Sequence, residues 1–253
     1  MPDEKLVFIA AVFALAGLVK GVIGLGLPTI SMGLLALAMT PLQAAAVLVL
    51  PSFLTNVWQM LAGRTLKAAV LRLWPMMLGV CLGTWAGAWL GARTGTGLNG
   101  SDSRYTGALL GAALMAYAAM GLSAVHFSIA RAREPWLGPA TGALTGIITA
   151  ATGVFVIPAV PYLQAIGLEK EELVQALGLS FTVSTLALAA NIAHAGALDV
   201  ALAGPTLIAL AAACAGMWFG QGLRSRLPPE TFRRCFFGGL LVLGGYLIVG
   251  TRI

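Results

Sequence analysis

Ala16-Gly17-Leu18-Val19-Lys20-Gly21-Val22-Ile23-Gly24-Leu25-Gly26-Leu27-Pro28-Thr29 places a lysine, closely spaced glycines and a proline inside an otherwise apolar stretch. Apolar residues continue for about a dozen positions on either side. The cation and the helix-breaking cluster therefore fall where a membrane helix would lie deepest. The stretch reads as a helix broken within the bilayer, and that reading organises the rest of the chain.

The chain has 253 residues, of which 59% are hydrophobic and 9% charged, against about 25% charged in soluble domains. An ordinary soluble protein is excluded. Charge-free runs recur from Leu6 to Val19, Gly21 to Gly63, Leu73 to Ala92, Tyr105 to Val125, Pro135 to Leu168, Leu173 to Leu198, Val200 to Leu223 and Cys235 to Thr251. Most reach the roughly 20 residues that cross a bilayer, and the short alternating segments of a membrane β-barrel are missing. The sequence predicts an all-α polytopic membrane protein. Met1 to Lys5 lacks a basic leader and no small-residue cleavage site ends a short apolar run, so the first helix is expected to stay in the mature protein. The net charge of +6 sits almost wholly in loops, which points to topology and anionic headgroups rather than nucleic acid. Cys81, Cys214 and Cys235 fit neither a disulfide framework nor a zinc spacing.

The periodicity predicts helices at about 6 to 20, 28 to 39, 43 to 63, 68 to 92 and 104 to 126, and again at 136 to 148, 154 to 166, 172 to 196, 200 to 223 and 233 to 251. The two sets run in parallel. Lys20-Gly21-Val22-Ile23 answers Thr145-Gly146-Ile147-Ile148, and Ala62-Gly63 answers Ala195-Gly196. Cys81-Leu82-Gly83-Thr84-Trp85-Ala86-Gly87 answers Cys214-Ala215-Gly216-Met217-Trp218-Phe219-Gly220, and the last two matches share an offset of 133 residues. Compositional coincidence is the competing reading in a chain rich in glycine and alanine, but paired cysteines and tryptophans are harder to match by chance. The expected halves are residues 1–130 and 131–253, each a broken-helix hairpin plus three transmembrane helices.

Loop charges orient the halves. Arg64, Lys67 and Arg72, the linker residues Arg131 and Arg133, and Arg224, Arg226, Arg233 and Arg234 mark cytoplasmic loops. The N-terminus and the loops around Asp199 and from Arg93 to Arg104 are then outside, as is the C-terminus. Glu169 to Glu172 falls inside against the trend, but acidic residues carry little topological weight. The loop after 43 to 63 is inside while its counterpart after 172 to 196 is outside, so the repeats are expected to be inverted. Residues 6 to 42 must begin and end outside, which suits two short helices meeting within the membrane; a ring of complete tilted helices is the alternative.

Gly79, Gly83, Gly87 and Gly91 recur every fourth position, with Gly138, Gly142 and Gly146 and then Gly216 and Gly220 repeating the device, and are expected to serve close helix packing. The break from Gly21 to Leu27 survives in hydrocarbon only if it is buried in protein or faces a wet cavity. Pro28 suits the first turn of the following helix, whose N-H groups, with Thr29 and Ser31 nearby, would aim about half a positive charge at that cavity. An anion is the natural occupant. The second break offers Thr149, Thr152 and Gly153, with Pro158 and Pro161 beyond. Lys20 either receives the anion or, on the competing reading, neutralises the preceding helix end or snorkels to an interface. Gly21-x-x-Gly24-x-Gly26 lacks the setting of a nucleotide loop.

Asn56 and Gln59, and Asn191 with His194, lie toward the ends of repeat-related helices, where they line a pathway or bind neighbouring helices. His194 and His126 read as interfacial, with His194 as a proton carrier the sharper alternative. Ser180, Thr182, Ser184 and Thr185 are expected to bond back to their own helix, and Trp85 and Trp218 to pack within the repeat. No nucleophile triad, metalloprotease motif or paired intramembrane carboxylate occurs, so no enzyme activity, cofactor or metal is expected.

At Gly17-x-x-Lys20-Gly21-x-x-Gly24-x-Gly26-x-Pro28, Thr40-Pro41-x-Gln43-Ala44, Gln175-Ala176-Leu177-Gly178-Leu179-Ser180-Phe181-Thr182 and Ala195-Gly196, this chain resembles the TauE/SafE family of sulfite exporter-like permeases. The resemblance spans nearly the whole chain, duplication included. It implies transport of small sulfur-containing anions, such as sulfite or organosulfonates, usually outward across a bacterial inner membrane, with the Gly21 to Pro28 and Thr149 to Gly153 positions as the anion site. The second half departs from the family in lacking its glycine cluster, which bears on ligand geometry. The resulting expectation is a secondary transporter, with a passive anion channel as the alternative and a membrane scaffold or intramembrane enzyme behind both. The expected partners are the lipid bilayer, a small anion and a coupling proton or sodium ion, although no membrane-deep carboxylate identifies that ion. The oligomeric state is left open.

Overall fold

A computed structural model describes residues 3–98, 103–123, 128–197, 199–224 and 229–250. Ten α-helices and two short 3-10 turns make up the described regular structure. The first five helices are α1 (Asp3–Ile23), α2 (Leu27–Leu35), α3 (Pro41–Leu61), α4 (Leu66–Thr94) and α5 (Ser103–Leu122). They are followed by α6 (Glu134–Thr152), α7 (Ala159–Ala165), α8 (Lys170–His194), α9 (Ala203–Leu223) and α10 (Pro229–Gly250). Seven of these, all but α2, α6 and α7, are long and apolar enough to cross a membrane. Large apolar side chains such as Trp58, Leu82, Trp136, Phe219 and Val242 stand exposed around the bundle, far beyond the apolar patch a soluble monomer tolerates. The chain is a multi-pass membrane protein.

All ten expected helices are present, with shifted ends. α1 runs three residues past Lys20, so Lys20 and Gly21 lie within the helix and the first break is confined to Gly24–Gly26. Gly24 (φ 80°) and Gly26 (φ 113°) take left-handed backbone conformations that other residues adopt only with strain. α6 likewise continues through Thr152, and the second break spans Gly153 to Pro158. The helix expected at 154 to 166 shrinks to the seven residues of α7. Val154-Phe155-Val156-Ile157 carries helix-grade hydropathy but is β-branched at three positions and precedes a proline, both of which oppose helical backbone. His126, expected at an interface, lies outside the described residues.

Glycine sets the packing. A Cβ on Gly17 or Gly21 would stand 2.2 or 2.3 Å from the carbonyl oxygens of Ala213 and Met217, and one on Gly216 would stand 2.1 Å from that of Ala14. α1 and α9 are therefore in backbone contact, and because the contacts advance together along both helices, the two run parallel. α4 and α6 repeat the arrangement: Gly83 abuts the Ala143 carbonyl, and Gly142 and Gly146 abut those of Met76 and Val80. The expected close helix packing holds for Gly79, Gly83, Gly87, Gly142, Gly146, Gly216 and Gly220, whereas Gly91 meets only the Thr96 backbone just past its own helix and Gly138 meets side chains of Tyr162 and Met76. Trp85 and Trp218 do not pack as expected; they are 71% and 70% exposed and project outward from the same face on which Cys81 and Cys214 are exposed. The matched tryptophans are spent on the exterior, because the glycines two residues to either side occupy the interface.

The two remaining large pairings are antiparallel. α3 meets α8 with Gly178 against Met60 and Ser52 against Thr185. α5 meets α10 with Gly111 against Gly244 and Gly121 against Phe237. Ser52 and Thr185 are separated by 133 residues and their hydroxyl oxygens lie 3.4 Å apart; Gly111 and Gly244 have the same separation and cross carbonyl to backbone. The offset found in the sequence thus recurs as direct contact.

Local signals fix several joints. α3 opens on a capping box: Gln43 N donates to Thr40 Oγ1 at 3.3 Å, and the Gln43 side chain accepts from Thr40 N at 3.4 Å, with Pro41 in the first turn. Buried Gln175 stitches α8 to the α3–α4 turn. Its Oε1 accepts from Thr65 N (2.9 Å) and Thr65 Oγ1 (2.7 Å), and its Nε2 donates to the Met60 carbonyl (2.7 Å). The acidic first turn of α8, with Glu171 and Glu172, lies one turn before Gln175, which meets the Arg64–Lys67 turn. Arg72 bonds Glu134 at the start of α6, and Arg233 bonds the Gly121 carbonyl at the end of α5. These contacts gather the basic loops at one end of the bundle.

Candidate functional site

Lys20 is 3% exposed and its side chain turns from α1 into α3. Its Nζ donates to Thr55 Oγ1 at 3.0 Å and makes a short hydrogen bond to Asn56 Oδ1. Its ammonium does not snorkel to an interface, although Lys20 does lie in the last turn of α1. The acceptors are oriented by a second tier of bonds. Thr55 Oγ1 donates back to the Pro51 carbonyl (2.8 Å), leaving its lone pairs toward the ammonium. Asn56 Nδ2 donates to Ser52 Oγ (3.1 Å) and Thr185 Oγ1 (3.3 Å), which turns its oxygen toward Lys20. Thr185 donates in turn to the Phe181 carbonyl at 2.6 Å. The cluster joins α1, α3 and α8 at the Ser52–Thr185 contact.

All these partners are neutral oxygens. Among the described residues, ion pairs join Arg72 to Glu134 and Glu230 to Arg233 and Arg234; none involves Lys20. A buried cation without a counter-ion is costly, and neutral hydrogen bonds offset only part of that cost.

The first break folds back onto the end of α1 and faces α3. A Cβ on Gly26 would stand 2.9 Å from Val19 Cγ1, and the atom nearest one on Gly24 would be Gln59 Nε2, at 3.8 Å. Gln59 itself donates to the Val174 carbonyl at 3.0 Å, so it ties α3 to α8. α2 begins at Leu27 with Pro28 in its first turn, and Gly26 supplies no side-chain cap, so the helix start has no protein acceptor of that kind. Thr29, fully buried, donates its hydroxyl to the Gly26 carbonyl at 2.9 Å. Ser31 is also buried, and among the described residues its oxygen has no hydrogen-bond partner.

The second break reaches the same region from the other side. A Cβ on Gly153 would stand 2.8 Å from Met32 Cε, one turn beyond Thr29 on α2, and the Phe155 ring lies 5.4 Å from that of Phe181 on α8. Thr149 and Thr152 are buried and donate to the carbonyls of Thr145 and Ile148, both at 2.7 Å; Thr152 Oγ1 also accepts from Val154 N at 3.2 Å. These hydroxyls serve their own helix in this state, as do Thr182 and Thr185, whereas Ser180 and Ser184, for which the same back-bonding was expected, are buried with no hydrogen-bond partner among the described residues. Gly21 faces α9 across the α1 interface rather than the break.

Sequence reading singled out Lys20, Asn56 and Thr185 separately and passed over Ser52 and Thr55. The available signal was Ser52-x-x-Thr55-Asn56, three polar residues following Pro51 in an otherwise apolar helix. No group of three or more His, Cys, Asp or Glu able to hold a metal occurs among the described residues. At a significant level the sequence matches no curated protein and no solved structure. A family model described as sulfite exporter TauE/SafE matches residues 9–247 of the 253-residue chain, which therefore belongs to that family of membrane transporters.

Proposed function

We propose that the chain is a secondary transporter that exports small sulfur-containing oxyanions, such as sulfite or organosulfonates, by alternating access. The carrying observation is Lys20, a buried cation whose hydrogen-bond partners are neutral, one turn before the first helix break. Lys20 supplies the charge. The N-terminus of α2, with the backbone of Gly24, Gly26 and Thr29 and the ring of Pro28, supplies N-H donors and a close approach. Gly21 seats α1 against α9 so that Lys20 reaches α3. Thr149, Thr152 and Gly153 complete the site from the second half once their hydroxyls rotate from helix carbonyls to the ligand.

The halves 1–130 and 131–253 form inverted repeats on this reading. Three observations support it: the parallel crossings α1–α9 and α4–α6 exchange under the repeat, α3–α8 and α5–α10 are antiparallel, and Ser52–Thr185 and Gly111–Gly244 pair equivalent residues. Self-equivalent antiparallel contacts are what a two-fold axis in the membrane plane produces. The basic end of the bundle is then cytoplasmic and both termini are periplasmic in a cell inner membrane. Burial of Lys20, Thr29 and Thr149 fits an occluded carrier better than an open channel.

Sulfite flux into proteoliposomes tests the reading with wild type and Lys20→Gln. Saturable flux with trans-stimulation in wild type, reduced at least tenfold in the variant, is expected. Single-channel currents would replace the carrier with a channel, and unchanged flux in Lys20→Gln would remove Lys20 from the site.

A further inference from the structure

Ser180 and Ser184 stand one turn apart on α8, both fully buried, and neither hydroxyl has a hydrogen-bond partner among the described residues. A helix offers such a hydroxyl the carbonyl four residues back, and on this same helix Thr182 takes that of Gly178 and Thr185 that of Phe181. The two serines decline theirs, so their hydroxyls turn away from the helix backbone. Buried hydroxyls are seldom left without a partner. Close packing does not call for them, because an alanine approaches as closely without a stranded hydroxyl. At the repeat offset of 133 residues they are answered by Val47 and Pro51, so they are no part of the duplicated packing.

The pair lies between the Lys20 cluster and the second break. Ser184 adjoins Phe181, a neighbour on the helix surface one turn earlier, and the Phe181 ring lies 5.4 Å from that of Phe155 in the break. Ser184 also precedes Thr185, which accepts from Asn56, the residue whose oxygen accepts from Lys20. The break brings donors of its own. Phe155 and Val156 are fully buried, and among the described residues their backbone N-H groups make no hydrogen bond. At the start of the break Met32 of α2 packs on Gly153, and Ser31 next to it is a further buried hydroxyl without a partner among the described residues.

We propose that Ser180 and Ser184 together hold one oxygen atom of the transported oxyanion, so that the first half supplies the charge and the second half recognises the oxygen. The proposal rests on the transport reading above and deepens it. Side chains four residues apart on a helix spring from Cβ atoms about 5–6 Å apart, and one acceptor oxygen bonded to both hydroxyls, at about 2.7–2.8 Å each, spans that gap. The unpaired N-H groups of the break are the donors for the ligand's other oxygens. Local charge selects an anion over a metal ion, because among the described residues Lys20 is buried while no aspartate or glutamate is. Thr149 and Thr152 must first release helix carbonyls. The serines need no such rearrangement.

Sulfite binding to the purified full chain in detergent, followed calorimetrically, tests the pair through Ser180→Ala and Ser184→Ala. Each variant is expected to bind about tenfold more weakly, the loss of one hydrogen bond to a charged group. Thermal unfolding of the ligand-free protein should stay unchanged or rise, since no bond within the protein is lost. Thr182→Val, which removes a hydroxyl bonded to its own helix, should leave the affinity nearly unchanged. Wild-type affinity in both serine variants, as when the hydroxyls hold only water, overturns the pair, as does a fall in ligand-free stability in both or no sulfite binding by the wild type. Saturable wild-type flux alongside unaffected serine variants would overturn the pair and leave the transport reading intact. Serine-dependent binding with no sulfite flux in wild-type vesicles would instead overturn the transport reading and leave the pair standing as an anion site.

Discussion

At Lys20 the energetics separate a structural from a functional role. A buried ammonium stabilises nothing that a neutral donor could not, and the charge itself carries several kcal/mol of desolvation. Lys20→Gln keeps a donor for Thr55 and Asn56, so its thermal unfolding should match wild type within about 1 kcal/mol while sulfite binding falls at least tenfold. A structural lysine would give the opposite pattern. Asn56→Asp puts a carboxylate where Oδ1 meets Nζ, supplying from within the counter-ion that the substrate brings. Sulfite affinity in that variant should drop by tenfold or more with stability held or raised, measured by calorimetry alongside thermal unfolding. The lysine was legible because a cation in an apolar run stands out; its partners were not, because Thr55, Ser52 and Thr185 become one cluster only when three helices far apart in sequence converge.

Among elements, the glycine spacing foretold which faces touch. Gly83→Ala would drive a methyl to within 2.1 Å of the Ala143 carbonyl and should cost about 1–3 kcal/mol as α4 and α6 are pushed apart. Gly238→Ala on α10 meets nothing within 4 Å and should gain up to about 1 kcal/mol from helix propensity. Thermal unfolding of the two variants should therefore move in opposite directions. The first helix break was located but drawn too wide, and the second, expected at 149 to 153, falls at Gly153 to Pro158. Gly21 and Thr149 look like breakers locally, yet α1 and α6 continue through them because their packing on α9 and α4 outweighs the weak propensity of glycine and threonine. α7 failed in the other direction, since hydropathy cannot distinguish an extended Val154–Ile157 from a helix.

For the whole molecule, the repeat and the loop charges carried the sequence reading furthest, and the inverted halves proposed from them rest on contacts such as Ser52–Thr185 and Gly111–Gly244, each 133 residues apart. Topology can be checked with single cysteines introduced after Cys81, Cys214 and Cys235 are replaced. Positions 64, 131 and 169 should label from one side of the membrane and position 199 from the other; labelling of 64 and 199 from the same side would rule out inverted halves. The unpaired Lys20 also bears on energy conversion. On the proposed function, with the cation supplied by the protein, the carrier loaded with a monovalent anion would be neutral and the empty carrier would bear the charge. A membrane potential then acts on the empty step alone, with up to about 2.3 kcal/mol per 100 mV if the charge traverses the whole field. An interior-negative potential draws the empty form toward the cytoplasm, where an exporter must refill. One lysine without an acid would thus let the resting potential drive the return stroke of an outward pump.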